Sequence, residues 1–215
     1  MTAPPTCPRC AGPLRPPTLM SSDWCCGLHG AVHPYHVAHT VGPEAVEHVK
    51  RQAAVPLWTP LPLLPGWMVT GVAHAGDERT GGRATALACA GPAPLGGVAD
   101  MVVVAEEPGV GLGARYAGVP GPDPGAGFSS TSPDAKVRVA GHPTPLWSLP
   151  LDEDRCAYVG EARALWLWAV LWPADAGYVF IEHVELHDLR DDPPGELVFG
   201  APSPYLRQGS TPPPD

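Results

Sequence analysis

The apolar positions that follow Val55 fall into short runs that Gly and Pro separate. Such runs occupy residues 67–75, 83–91 and 99–107, and two more surround Val137 and Leu146. The gaps between them are turns or a long Gly/Pro-rich loop, without a helix-length crossover. Strands that follow one another in this way pair antiparallel, so the pattern predicts an antiparallel sheet.

The most apolar run, residues 162–172, is compatible with two structures. In a helix Leu165, Trp168 and Trp172 would share one face, whereas in a strand the tryptophans would lie on one face and the leucines on the other. Trp and Val favour a pleated surface, and Gly and Pro bound the run, so we predict a strand. A strand that is apolar on both faces must be covered on both. We expect the face with Trp166, Trp168 and Trp172 to be core, the alternative being a docking surface.

A short amphipathic segment, "VGPEAVEHVKRQA", precedes the sheet. Pro43 stands where the first residue of a helix often does, and Val46 and Val49 repeat at helical spacing. The pattern predicts a helix over residues 43–53.

Cysteines near the N-terminus suggest a metal site. "CPRCAG" supplies Cys7 and Cys10, and "WCCGLHG" offers either Cys25 or Cys26 together with His29. In a zinc ribbon each of two tight turns holds two ligands separated by two residues. Only Cys26 leaves two residues before His29, so we predict a structural zinc site of Cys7, Cys10, Cys26 and His29. Protein fills all four positions, which leaves no open site for catalysis.

Three histidines follow at a spacing of three residues, His33, His36 and His39. They suggest a second metal site, but neither a carboxylate nor a cysteine completes the set. We interpret the segment as a surface linker.

These elements predict an α+β, mostly β protein with four parts. A zinc ribbon at 1–40 precedes a helical linker at 41–54, an antiparallel β-rich domain at 55–207 and a disordered tail at 208–215. Six of the seven tryptophans fall within the β-rich domain, so we expect it to fold without the ribbon.

The charge balance restricts the partners. The chain has 22 acidic and only 13 basic residues, a net charge of −9, and the basic residues are scattered. Binding to phosphate backbones needs clustered Lys and Arg, so we expect neither nucleic acid nor an anionic membrane as a partner. No apolar run is long enough for a membrane helix and no signal peptide is apparent, so we expect a cytoplasmic chain with reduced cysteines.

The Gly-rich stretch "EEPGVGLG" resembles part of a dinucleotide-binding fingerprint. The third glycine of the motif is missing, because that position is Tyr116, and no helix is predicted to follow. We interpret the stretch as a mobile loop, with no cofactor other than zinc.

Carboxylates and one histidine offer a catalytic alternative. Glu107, His142 and Glu161, with Glu106 and Arg163 nearby in sequence, contain the groups that acid–base chemistry needs, but nothing in the sequence brings them together. Cys89 and Cys156 lie in apolar strands, and we expect them to be inert buried thiols. No catalytic residue is therefore predicted.

Several segments resemble known protein groups. "CPRCAGPLRPP", "WCCGLHG", "GDERTGGRATALACAGPAPLGG", "VAEEPGVGLGARYAG" and "GHPTPLW" together resemble an uncharacterised actinobacterial family of unknown function, over nearly the whole chain. "LPLLPGWMVTG", "VAGHP" and "LWLWAVLW" resemble sheet domains of bacterial sigma-factor and envelope regulators. The first resemblance implies no activity.

Two function classes are compatible with these observations. The first is a non-enzymatic zinc-ribbon protein that binds or regulates a protein partner. The second is a small hydrolase- or transferase-like enzyme that uses Glu107, His142 and Glu161. Convergence of these three side chains in one pocket would favour the enzyme, and their separation would favour the binding protein.

Overall fold

The computed structural model of the chain describes residues 4–19, 21–150, 154–181, 184–191 and 197–208. Strands predominate over helices among the described residues, which confirms the mostly β prediction. Of the predicted tail at 208–215, all but Gln208 lies outside the described residues.

A small antiparallel sheet forms the N-terminal region, and residues 4–19 and 21–31 are called the ribbon below. Its strands are β1 (Leu14–Arg15), β2 (Cys25–Cys26) and β3 (Gly30–Ala31), in the order β1-β2-β3. Each strand has only two residues, so the hydrogen bonds of this sheet alone provide little cooperativity.

A ten-stranded sheet forms most of the molecule. Its strands are β4 (Tyr35–Val37), β5 (Trp58–Pro60), β6 (Met68–Asp77), β7 (Gly81–Pro92), β8 (Val98–Glu106), β9 (Ala135–Val139), β10 (His142–Ser148), β11 (Cys156–Ala162), β12 (Leu165–Trp172) and β13 (Glu185–Asp188). They follow the order β4-β6-β7-β8-β12-β11-β10-β9-β13-β5. All neighbours are antiparallel except β9 and β13, which run parallel.

Helices are short and few in the described chain. They are α1 (Pro43–Gln52), α2 (Leu112–Ala117), a 3₁₀ helix (Ala174–Ile181) and α3 (Tyr205–Gln208). The first agrees with the predicted helix. The second corrects the sequence prediction, which placed a helix-free mobile loop there. No helix within the described residues combines the length and apolar character that a membrane crossing requires.

Strand β12 lies at the centre of the ten-stranded sheet, between β8 and β11. The strand prediction for this run is therefore correct. Leu167 and Leu171 belong to one hydrophobic core, and Trp168 and Trp172 belong to another on the opposite face. The buried Trp face is thus part of the interior of the molecule.

The two cores draw on segments outside the predicted β-rich domain. The sheet curls so that β5 contacts β7 and β8, and the first core also includes Ala45, Val46 and Val49 of α1. The second core includes Tyr35 of β4 and the residues of α2. Residues 33–53 therefore contribute to the same interior as the strands from β5 onward.

A buried pair of tyrosines joins three distant segments at the second core. The Tyr35 and Tyr116 hydroxyls lie 2.5 Å apart, and each lies 3.1 Å from the carbonyl oxygen of Leu206. One hydroxyl can donate to the carbonyl and the other to its neighbour. The Arg115 guanidinium lies over both rings, 4.7 and 4.8 Å from their centroids. This network ties β4, α2 and α3 together.

Candidate metal centre and the groove beside it

Four side chains converge at the small N-terminal sheet. The Sγ atoms of Cys7, Cys10 and Cys26 and a ring nitrogen of His29 all lie within 4.8 Å of one another. The Sγ atoms of Cys10 and Cys26 are 3.7 Å apart, and Nδ1 of His29 is 3.5 Å from Cys7 Sγ and 3.6 Å from Cys26 Sγ. These are the four residues that the spacing of the motif selects.

The spacing of these atoms fits a tetrahedral ion. Zinc–sulfur bonds of about 2.3 Å and zinc–nitrogen bonds of about 2.05 Å place sulfurs about 3.8 Å apart and sulfur about 3.6 Å from nitrogen. The observed separations agree with both values. The side chain of Cys25 does not join the group, because its Sγ lies against the carbonyl of Asp23, at 3.7 Å.

Local backbone geometry explains why the first turn needs this sequence. The Ala11 N–H donates to the Cys7 carbonyl at 2.9 Å, and Ala11 itself has a positive φ of 56°. A Cβ at Gly12 would lie 3.2 Å from the Cys10 sulfur, which is tighter than ordinary contact. A glycine after the second cysteine therefore leaves room for the sulfur.

Two of the clustered thiols, Cys7 and Cys26, differ in proton affinity. Burial raises the pKa of Cys7 to about 12. Burial also acts to raise the pKa of Cys26, but the backbone N–H groups of Leu28 and His29 outweigh it and lower this pKa to about 6. A divalent cation binds thiolates, so metal binding releases the remaining protons.

The first cysteine turn is docked onto the larger sheet region. Between its two cysteines, Arg9 donates from Nε to the Val110 carbonyl at 3.2 Å and from Nη2 to the Gly109 carbonyl. Arg115 of α2 donates to the Cys7 carbonyl at 3.4 Å. The candidate metal centre is therefore fixed against the loop that enters α2.

Glu106 explains why the Gly-rich stretch contains a helix. Its carboxylate accepts the N–H groups of Leu112 and Gly113 at 2.7 and 3.1 Å, the first donors of α2. Complete burial raises the pKa of Glu106 to about 8. The carboxyl group occupies the place where a dinucleotide phosphate would meet a helix N-terminus.

A small polar cleft of about 280 Å³ lies between the ribbon and the sheet, with Glu107 and His33 in its lining. Glu107 is paired with Arg83 at 2.7 Å. Burial and the nearby charge of Arg83 lower the pKa of His33. Asp77 also lines this cleft.

The alternative catalytic residues lie apart. Glu107 lines the small cleft, whereas His142 is the exposed first residue of β10 and Glu161 is exposed on β11. Two strands, β11 and β12, separate β10 from β8, the strand that leads to Glu107. Arg163 instead contacts Asp188, at 3.4 Å. Neither cavity described for this region includes His142 or Glu161 in its lining.

The two apolar-strand cysteines lie within the sheet. Cys89 is fully buried, and burial raises its pKa strongly. Cys156 is partly buried, and burial raises its pKa to about 11. Both thiols are therefore protonated at neutral pH, and a protonated thiol is a poor nucleophile.

A large groove runs beside the metal centre. It has a volume of about 1090 Å³ and lies between the ribbon, β4, α1 and the end of β6. Trp24 of the ribbon lines both this groove and the small cleft. The ribbon thus forms one wall of the groove.

The structure separates the three histidines of the sequence repeat. His33 lines the small cleft, whereas His36 and His39 line the groove. His36 lies in strand β4, so the segment interpreted as a linker contains a sheet strand.

Sequence reasoning missed His48 and His74, which also line the groove. A single histidine among small apolar residues, as in "TGVAHAGD", is the signal that marks His74.

Comparison with known proteins assigns the chain to a family without assigning it a function. The chain belongs to a family described as "Family of unknown function (DUF6758)", whose sequence profile matches residues 1–206. No curated protein and no solved structure matches the chain. The expectation of an uncharacterised family is confirmed in this form. The actinobacterial source and the resemblance to sigma-factor and envelope regulators stay predictions.

Proposed function

We propose that this chain is a non-enzymatic binding protein in which a zinc-stabilised ribbon forms one wall of a groove for a protein partner. The observation that carries the proposal is the groove of about 1090 Å³ between the ribbon, β4, α1 and β6. A cavity of this size, lined by apolar and polar groups, is typical of binding sites.

Zinc is the ion that best suits the four ribbon side chains. Three thiolates and one imidazole in tetrahedral spacing form a closed structural site. The bound ion would hold β1, β2 and β3 together and keep Trp24 at the groove. All six cysteines are free, which supports a reducing, cytoplasmic location.

The charges that line the groove favour a basic, extended peptide segment as its occupant. Glu44, Asp77 and Glu78 line the groove. Among the described lining residues the one Lys or Arg is Arg79, which is paired with Asp23 at 2.8 Å. The net charge of −9 has the same sign. A partner segment with Lys or Arg would therefore be attracted, whereas nucleic acid and anionic membranes would be repelled.

Selection of random displayed peptides on the zinc-loaded chain tests this proposal. We expect the selected peptides to be rich in Lys and Arg. Fluorescence anisotropy should show weaker binding to Glu44→Lys and Glu78→Lys than to the unaltered chain. Glu161→Lys is the matched control, because Glu161 is an exposed carboxylate outside the groove lining, and it should keep the affinity.

Two results would contradict the proposal. One is selection of acidic peptides. The other is binding that Glu44→Lys and Glu161→Lys weaken equally, since general charge and not the groove would then explain it.

A further inference from the structure

Three histidines from three different elements meet in the groove. His36 lies in β4, His74 in β6 and His48 in α1. The ring centroids of His36 and His74 are 5.0 Å apart, and those of His48 and His74 are 6.1 Å apart. All three residues line the groove.

The fold itself places these rings together. In the antiparallel pair of β4 and β6, His36 stands directly opposite His74. Opposite residues of this kind have Cβ atoms about 5 Å apart on the same face of the sheet. Helix α1 packs against β6 and presents His48 from the other side.

His74 is buried, but one of its ring nitrogens makes no hydrogen bond. Only 7% of its surface is exposed, and its Nδ1 atom has no hydrogen-bond partner among the described residues. An unpartnered buried polar atom costs about 1–3 kcal/mol, so native proteins rarely leave one without a ligand or water.

Two of these histidines, His36 and His74, favour the neutral imidazole at physiological pH. Burial, with the neighbouring His36 and His48, lowers the pKa of His74 to about 4. Burial and His48 lower the pKa of His36 as well. Neutral imidazole has a free nitrogen lone pair, and it is a common ligand of transition metals.

We propose that His36, His48 and His74 bind a second divalent transition-metal ion, with one coordination position open to the groove. Metal–nitrogen bonds of about 2.0–2.1 Å place the centroids of neighbouring tetrahedral imidazoles about 5 Å apart. The first pair already has this separation, but its rings are nearly parallel, at 17°, so the partly exposed His36 ring must turn about its Cβ–Cγ bond to aim a lone pair at the same ion. His48 is exposed on the helix, so a side-chain rotation can bring its ring about 1 Å nearer.

This site differs from the ribbon in its degree of preorganisation. The ribbon cluster is the one group of metal-binding residues in the described chain whose donor atoms all lie within 4.8 Å of one another. The three imidazoles must close around the ion, so the second site binds more weakly and exchanges its metal. Its open position can accept water or a donor atom from a groove ligand.

The groove favours a cation over an anion at this position. Glu44 lies one helical turn before His48, and both line the groove. The neutral imidazoles of His36 and His74 provide no positive charge to hold an anion. A divalent ion would satisfy the unpartnered nitrogen of His74 and lie near the Glu44 carboxylate.

Cobalt titration of the full-length, zinc-loaded chain tests the proposal. With the ribbon already filled by zinc, we expect one further equivalent of Co²⁺ to bind. Its absorption spectrum should lack thiolate-to-cobalt charge transfer, because the ligands are nitrogen and oxygen. Isothermal calorimetry should show that His48→Gln and His74→Gln each weaken this binding by more than about tenfold.

The controls keep the outcome decisive. His142→Gln removes an exposed histidine outside the groove and should leave the second equivalent unchanged. His48→Gln alters an exposed side chain, so loss of the fold will not obscure its effect. The proposal is overturned if no second equivalent binds, if its spectrum shows thiolate ligands, or if His48→Gln and His142→Gln bind cobalt equally well. Each result is independent of peptide binding, because cobalt alone is the probe.

Discussion

The N-terminal ribbon and the ten-stranded sheet are stabilised in different ways. The ribbon has three strands of two residues each, and its cohesion depends on four side chains around one position. The sheet buries two hydrophobic cores on its opposite faces. Loss of a metal ion should therefore unfold the ribbon, whereas the sheet should tolerate it.

We expect the boundary between these two regions to lie before His33, and not at Val55. Tyr35 is hydrogen-bonded within the second core, and Val46 and Val49 are buried in the first. The segment from 33 to 53 thus belongs energetically with the sheet. The amino-acid composition changes at Val55, but residues before and after Val55 are buried in the same two cores.

Truncation should have the largest effect and tests this boundary. A chain that begins at Val55 loses Tyr35, Val46 and Val49, each of which contributes about 1.5–3 kcal/mol by burial, and leaves both cores open. We expect it to be insoluble or to unfold without cooperativity. A chain that begins at His33 should unfold cooperatively in thermal denaturation, without the zinc of the ribbon. Cooperative unfolding of the shorter chain would show that the sequence-based boundary at 55 is sufficient.

Cysteine substitutions test the metal dependence of the ribbon. Cys26→Ser removes a sulfur of the cluster, so we expect less than about half an equivalent of zinc per chain, against about one for the unaltered protein. Cys25→Ser is the matched control and should keep its zinc. Elemental analysis of chains purified without chelator measures both. If Cys25→Ser loses the metal and Cys26→Ser retains it, the register of the second turn is wrong.

Local sequence patterns predict local structure well here. Two-residue spacing selects Cys26 over Cys25, and Pro43 with Val46 and Val49 marks the start and the buried face of α1. Alternating Trp and Leu in β12 predicts a strand buried on both faces. In each of these cases the residues that determine the local structure lie within one turn, one helix or one strand.

Long-range pairings are what the sequence did not predict. His36 meets His74 only because β4 pairs with β6, and His48 joins them only because α1 packs beside that pair. Helix α2 was missed for a different reason: its N-cap residue, Gly111, has no capping side chain, and the capping carboxylate comes from Glu106, six residues before Leu112. Such contacts leave no periodic signal in the chain.

Glu106 is a fully buried carboxyl group in the sheet region. Its ionisation should make the stability of the protein depend on pH. The carboxyl pKa rises from 4.5 to about 8 on folding, so the folded state binds the proton more tightly. Stability from this group is complete below pH 4.5 and is lost as the pH rises through 8, by up to about 5 kcal/mol.

Substitution of the carboxyl isolates this effect. Glu106→Gln cannot ionise, and it should flatten the pH dependence at the cost of one weakened helix-capping hydrogen bond, about 1 kcal/mol. Urea unfolding at several values between pH 5 and 9 measures both. Glu107→Gln is the control, because its exposed carboxylate is paired with Arg83, and it should keep the slope. An unchanged slope in Glu106→Gln would mean that Glu106 is ionised in the folded protein.

The smallest of the expected effects concerns the packing of α2 on β12. A Cβ added at Gly113 would overlap the Trp168 indole, which is fully buried in the second core. The helix must shift to accommodate it, so Gly113→Ala should destabilise the protein by about 1–3 kcal/mol. Gly42→Ala is the matched control, since no atom lies within 4 Å of its Cβ position, and it should cost about 0.5–1 kcal/mol because Ala is a poorer N-cap than Gly. Because Arg115 of α2 also binds the Cys7 carbonyl, the shift should reach the ribbon and lower its zinc affinity. Equal thermal stability of the two variants would show that α2 adjusts freely, and that the ribbon and the sheet are less tightly joined than these contacts indicate.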